Sequence, residues 1–422
     1  MSQHTVLPVA RPIIATTRVP GSKSITNRAL LLAALAKGRS TLTGMLFSDD
    51  SEVMLEALKQ LGVSLTIDRA RQQVEIEGAA GRFPNIEANV YCRDAGTATR
   101  FLMAACAAMP HGRYHFSASE RMMQRPSGPL ISALQYQGTQ FHFERQLQQM
   151  PFVMQAHGLA GGDVAVDIKD SSQFLSGLMM AAPYAKQRLA LHAGDLSKRP
   201  YVRMTRSMML AFGIAVDDTS GVSPQLGCYQ GCSYAIEPDA STASYFFAIA
   251  ALTRGEITVE GMSRQSLQGD TQFLTVLEKM GCLVADVPSG VVVKGPAQLK
   301  GVTVDMTGFS DTFMTVAVLA PFADTPTTLS GLAHTRLQES DRIAAIEEGL
   351  NRLGIRTEST ESTLTIYPGT PKGAVVSGHH DHRIAMSLAL MGLKTPGVVI
   401  DGAECVAKTC PDYFERLRNV VV

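Results

Sequence analysis

Six apolar stretches recur along the chain, each starting just after a polar or charged cap. They are 24-SITNRALLLAALAKG-38, 97-TATRFLMAACAAM-109, 172-SQFLSGLMMAAPYA-185, 241-STASYFFAIAALTRG-255, 311-DTFMTVAVLAPFAD-324 and 381-DHRIAMSLALMGLK-394. Their starts lie about 70 residues apart, a period that indicates a repeated supersecondary unit. A second signature falls between them, an amphipathic helix closed by Gly and followed by a strand. Its copies are 55-LEALKQLGVSL-65, 131-ISALQYQGTQF-141, 205-TRSMMLAFGIAV-216, 274-LTVLEKMGCLV-284 and 346-IEEGLNRLGIR-356, with a shortened sixth at 412-DYFERLRNVVV-422. Alternating segments such as 63-VSLTI-67 and 256-EITVEG-261 supply strands between the helices.

A period that holds both helices and strands predicts an α/β fold, with six units shared between two domains of three. The first helix of each unit is apolar all round and is therefore expected to be buried inside its domain. The chain has 422 residues, 45% of them hydrophobic, enough for two large cores. Lys and Arg number 38 against 38 Asp and Glu, so no basic field points to nucleic acid. The longest apolar runs, such as 174-FLSGLMMAAPYA-185, are too short and interrupted for a bilayer, and no membrane association is expected. No basic-then-apolar signal pattern opens the sequence. The seven cysteines include one close pair, Cys228 and Cys232, with no His or second pair to complete a zinc site. A reduced, cytoplasmic protein with buried or incidental thiols and no zinc site is expected, and a monomer.

The stretch 20-PGSKSITNRALLLAALAKG-38 places Lys23 and Arg28 at the mouth of an otherwise apolar helix. Pro20-Gly21 breaks the preceding segment, small hydroxyl residues supply caps, and Gly38 is expected to stop the helix. Free N–H groups beside two cations make a receptor for an anion such as phosphate. Similar polar residues open the other apolar helices: 94-DAGTATR-100, 171-SSQ-173, 237-EPDAST-242, 308-GFSD-311 and 378-GHHDHR-383. Connecting segments add 119-SERMMQRP-126, 336-RLQESDR-342 and 405-CVAKTCPDYF-414. Together they offer Lys23, Arg28, Arg125, Arg342, Arg383 and Lys408 as cations, with Asp311 and Glu339 as acids. That capacity exceeds one phosphate and fits a substrate pair carrying phosphates and carboxylates. The acids then become candidates for proton transfer. By position alone, Asp311 is the N-cap of the fifth apolar helix.

The series PGSKSITNRALLLAAL, AGTATRF, RMMQRP, SSQFLSGL, DASTASYF, LQGD, ESDR, DHRIAM and AKTCPDYF resembles, in order, the motifs of the 5-enolpyruvylshikimate-3-phosphate synthase family. The resemblance runs from about Pro20 to Phe414. It implies an inside-out α/β barrel fold of two similar domains, each of three α/β units with buried parallel helices. One domain would span 21–237 and the other 1–20 with 238–422, with the active site in the cleft between them. The implied reaction moves the enolpyruvyl group of phosphoenolpyruvate to the 5-hydroxyl of shikimate 3-phosphate and releases phosphate, with no cofactor. It belongs to the shikimate pathway, which leads through chorismate to the aromatic amino acids.

By the same resemblance, Lys23, Gly96, Arg125, Gln173, Arg342, Arg383 and Lys408 hold phosphoenolpyruvate, Gly96 through its backbone. Lys23, Ser24, Arg28, Ser171, Ser172, Lys198, Tyr201, Asp311, His334 and Gln338 hold shikimate 3-phosphate. Asp311 is the implied base, while Glu339 with Lys23 or Lys408 manages the proton at the methylene carbon and the leaving phosphate. Four positions depart from the family pattern: Asp94, His334 and Gln338, together with Lys198 in 197-SKRPY-201. They keep open a different polyhydroxy acid as acceptor. A nucleotide-sugar enolpyruvyl transferase, which shares the fold, would need a reactive Cys where this chain reads 119-SERMMQRP-126.

Overall fold

The computed structural model describes residues 2–197, 199–219 and 221–421. The chain divides into two compact units, Gly21–Ile236 and Met1–Pro20 with Glu237–Val422. The second crossing falls one residue earlier than the sequence reading placed it. Glu237 belongs to the later unit because its carboxylate accepts the Ser266 hydroxyl, the Leu267 N–H and the Gln268 amide.

In Gly21–Ile236 the buried helices are Lys23–Leu35, Gly96–Ala107 and Gln173–Ala181; in the other unit they are Ala240–Thr253, Phe313–Leu319 and His382–Met391. Every residue of Gly96–Ala107 and of Ala240–Thr253 is buried, so no face is left for water. Leu30, Leu31 and Leu32 are consecutive yet each fully enclosed, which contributes roughly 2 kcal/mol per side chain. In the later unit the three buried helices pack on one another; in Gly21–Ile236, Gly96–Ala107 packs against both of the others. Gly38 does not stop the first helix: it ends at Leu35, and Gly38 lies in the strand Lys37–Thr43. That strand turns back at once to cover the helix it follows.

Each copy of the repeat sets the buried helix between two parallel strands and adds a second helix, followed in all but the last by an antiparallel pair. Glu87–Tyr91 and Gly112–Ser117 run parallel, and the sheet continues with Phe152–Ala156 and Gln140–Phe143. The same order recurs around Thr303–Asp305, Thr327–Ser330, Leu364–Ile366 and Thr357–Ser359. Three sheets borrow a strand from afar. Ser233–Ala235 pairs in parallel with Lys37–Thr43, and Ile14–Thr17 pairs in parallel with Glu256–Glu260. Gln3–Thr5 lies antiparallel to Val399–Asp401, supplying the strand that the shortened last copy lacks.

The second helices end alike. Gly62, Gly138, Gly213, Gly281 and Gly354 all adopt left-handed φ between 81° and 100°. In each the Gly N–H bonds the carbonyl three residues back and the next N–H bonds the one five back, as Gly62 to Lys59 and Val63 to Leu58. A side chain at those φ values is strained, so the recurring Gly marks a local requirement of the backbone.

Candidate active site

In Gly21–Ile236 the polar residues gather at the starts of the buried helices. Lys23, Ser24, Ser171, Ser172 and Gln173 are partly exposed, while the helices beyond them are closed. Arg28, one turn in, is 1% exposed. Its guanidinium donates to Thr205 Oγ1 at 2.8 Å, the Ser24 carbonyl at 3.0 Å, Ser176 Oγ at 3.3 Å and the Tyr201 carbonyl at 3.4 Å. It also lies over the rings of Phe101 and Tyr201. Burial pulls its pKa down to about 10. Among the described residues no acidic side chain pairs with it.

The second helix mouth is built around Gly96. A Cβ there would come within 2.7 Å of Arg125 Nη1, so the guanidinium lies against the bare backbone. Arg125 likewise has no acidic partner among the described residues; its polar contact is Met122 Sδ at 3.7 Å. Gln173 ties this mouth to the third, donating to Thr97 Oγ1 at 3.0 Å and accepting from Arg100 at 2.6 Å. Ser171 Oγ accepts the Gln173 N–H at 3.2 Å. Lys23 pairs with Asp50 at 3.3 Å. Lys198 lies outside the described residues.

The other unit gathers its charges differently. Asp311 does not cap a helix. One of its oxygens accepts from Arg342 at 2.9 Å and the other from Arg383 at 2.8 Å. Arg342, 2% exposed, also donates to Asp381 at 2.8 Å, and to Glu339 and Gln338. Asp381 is fully buried, caps His382–Met391 through the Arg383 N–H, and accepts the Ser340 hydroxyl at 2.9 Å. Lys408 pairs with Glu339 at 3.2 Å. Three acids thus stand against three cations. Burial opposes the charge on Arg342, but Asp381, Glu339 and Asp311 outweigh it, and its pKa lies above the ordinary arginine value.

Glu339, Asp381 and His382 could bring three ligand atoms together, yet both carboxylates already accept from Arg342. A metal ion would have to displace that guanidinium. Cys405 is no candidate nucleophile either: burial, with Asp381 and Glu404 nearby, pushes its thiol up to about 12.

The departures from the family pattern within the described residues, Asp94, His334 and Gln338, each have a local partner. Asp94 accepts the Ser119 hydroxyl, and Arg93 turns to Glu56 at 2.8 Å. His334 Nε2 lies 2.8 Å from Ser310 Oγ, and Gln338 accepts from Arg342. Sequence reasoning missed Asp50, Asp381, Thr205 and Ser176. Asp50 carries a signal, being the second of two acids opening a helix at 49-DD-50; Thr205 and Ser176 carry none, since each is an ordinary small polar residue inside a helix.

The family model described as EPSP synthase (3-phosphoshikimate 1-carboxyvinyltransferase) matches residues 9–417. The chain is 42% identical over 415 residues to a Nostoc punctiforme protein named 3-phosphoshikimate 1-carboxyvinyltransferase, covering 97% of each. A Photobacterium profundum protein of the same name is 38% identical over 427 residues, covering 100% of this chain and 99% of its own. The solved structure of EPSP synthase from Acinetobacter baumannii superposes with a TM-score of 0.85 at 25% identity, over 100% of this chain and 98% of that one.

Proposed function

The chain belongs to the EPSP synthase family, the 3-phosphoshikimate 1-carboxyvinyltransferases, and we infer from its own residues how it performs that transfer. It is a transferase that moves the enolpyruvyl group of phosphoenolpyruvate to the 5-hydroxyl of shikimate 3-phosphate and releases phosphate. Two highly charged anions must be held together, which requires several cations, some of them without a carboxylate of the protein beside them.

Arg28 and Arg125 carry this reading: each is a guanidinium with no carboxylate beside it among the described residues. A buried cation of that kind is stabilised most by an incoming anion. We assign the acceptor to Arg28 with Ser24, Ser171, Ser172, Tyr201, His334 and Gln338. The donor falls to Lys23, the Gly96 backbone, Arg125, Gln173, Arg342, Arg383 and Lys408. Asp311, held between Arg342 and Arg383, takes the hydroxyl proton. Glu339, in contact with Lys408, serves the methylene carbon, and Lys408 or Lys23 the departing phosphate.

Phosphate release from phosphoenolpyruvate, followed with and without shikimate 3-phosphate, tests the assignment. Release should depend on the acceptor. Equal release with another polyhydroxy acid would replace shikimate 3-phosphate as the substrate, and no release with either would remove the catalytic reading. Among the described residues no helix is long and apolar enough to cross a membrane. The proposal includes a monomer working in the cytoplasm, which sedimentation and fractionation would check.

A further inference from the structure

We propose that Asp50 is a positioning residue for this reaction, holding the Lys23 ammonium at the mouth of the first buried helix. Asp50 is 3% exposed and its carboxylate lies 3.3 Å from Lys23 Nζ, whose side chain is itself only 12% exposed. A buried carboxylate in the first turn of Asp49–Gln60 needs a reason to be there. Stabilising the helix start does not supply one. Ser48 and Ser51 bond across the cap, Ser48 N–H to Ser51 Oγ at 2.9 Å, and Asp49 and Glu52 already bring acid to the same turn from more exposed positions. Glu52 pairs outward with Arg69, whereas Asp50 faces inward onto Lys23.

Lys23 needs such a partner. Arg28 lies little more than one turn along its own helix, its guanidinium turned back onto the Ser24 carbonyl. A flexible ammonium can swing away on its four-carbon stem, and a carboxylate at contact distance fixes its position. Asp50 touches no substrate in this account; it acts through Lys23.

The inference rests on the assignment of Lys23 to the donor, so Lys23→Met is assayed beside Asp50→Asn, Asp50→Glu and Asp49→Asn. Misplacing the ammonium should lower kcat of Asp50→Asn about a hundredfold, with a smaller change in KM for phosphoenolpyruvate. Asp50→Glu should recover part of the rate. Asp49→Asn removes the same charge from the same helix turn and should behave as the wild type. In the Lys23→Met background, Asp50→Asn should add no further loss. An Asp49→Asn effect equal to that of Asp50→Asn would reduce Asp50 to helix stabilisation. A wild-type kcat in Asp50→Asn, or an Asp50→Asn that fails to fold while Asp50→Glu folds without activity, would overturn the proposal. If Lys23→Met itself keeps full activity, the donor assignment fails instead.

Discussion

At the helix starts of Gly21–Ile236, Arg28 and Arg125 meet hydroxyls, carbonyls and a thioether. In the other unit, Arg342 and Arg383 are gripped by Asp311, and Arg342 by Asp381 as well. The first arrangement leaves guanidinium charge without a carboxylate beside it among the described residues; the second shares it among the protein's own acids. On the proposed assignment an anion arriving at Arg28 or Arg125 meets an uncompensated charge, whereas one arriving at Arg342 or Arg383 shares that guanidinium with Asp311. The contrast also predicts opposite responses to removing an arginine.

Arg342→Met should give the largest effect. It leaves Asp381 buried and Asp311 and Glu339 without their shared cation, and breaking a buried pair in this way costs about 3–5 kcal/mol. Thermal and denaturant unfolding should show a loss of that order, accompanied by loss of turnover. Unfolding at the wild-type midpoint would mean that the acids are compensated elsewhere.

Asp311→Asn separates chemistry from stability. The amide keeps an acceptor for one guanidinium only, but the position is partly exposed and Arg342 keeps Asp381 and Glu339, so the fold should survive while kcat falls about a hundred- to ten-thousand-fold for loss of a general base. A kcat within tenfold of wild type would assign the base elsewhere.

Arg28→Met should break the comparison if it is wrong. Burial lowers the Arg28 pKa from its unfolded value to about 10, so the charge costs stability below pH 10, and that cost fades as pH rises towards the unfolded pKa. Removing the charge near pH 7 should leave the melting temperature unchanged or higher, the reverse of Arg342→Met. Affinity for shikimate 3-phosphate should drop by about 1.5–3 kcal/mol, as for a hydrogen bond to a charged group. Calorimetric titration and melting of the same variant test both.

Gly96→Ala should be the mildest. The new methyl meets the far end of the Arg125 side chain, which can shift, so the fold should hold. Displacing that guanidinium should raise KM for phosphoenolpyruvate by roughly tenfold, about 1.4 kcal/mol. An unchanged KM would place the donor away from this mouth.

Much of the architecture was legible because its signals are local. Five of the second helices are closed by a Gly that only a left-handed turn requires, and each buried helix shows as an apolar run with no polar face. Gly38 misled because Gly also occurs inside strands, and the helix had already ended at Leu35. Glu237 was assigned across the boundary because nothing in 237-EPDAST-242 announces that its carboxylate will clamp the segment at Ser266–Gln268.

By itself the sequence determined the six-fold period, the helix and strand alternation, and which helix mouths carry charge, all of which depend on residues within a few turns of each other. Only the tertiary structure decided which charges meet. Arg342 reaches Asp311 across 31 residues and Asp381 across 39, Arg383 reaches Asp311 across 72, and Arg28 finds Thr205 across 177. Local propensity carries no record of such separations. Whether a guanidinium ends beside a carboxylate or a hydroxyl depends on how three buried helices pack, and that choice separates Arg28, which meets hydroxyls and carbonyls, from Arg342, which is shared among three acids.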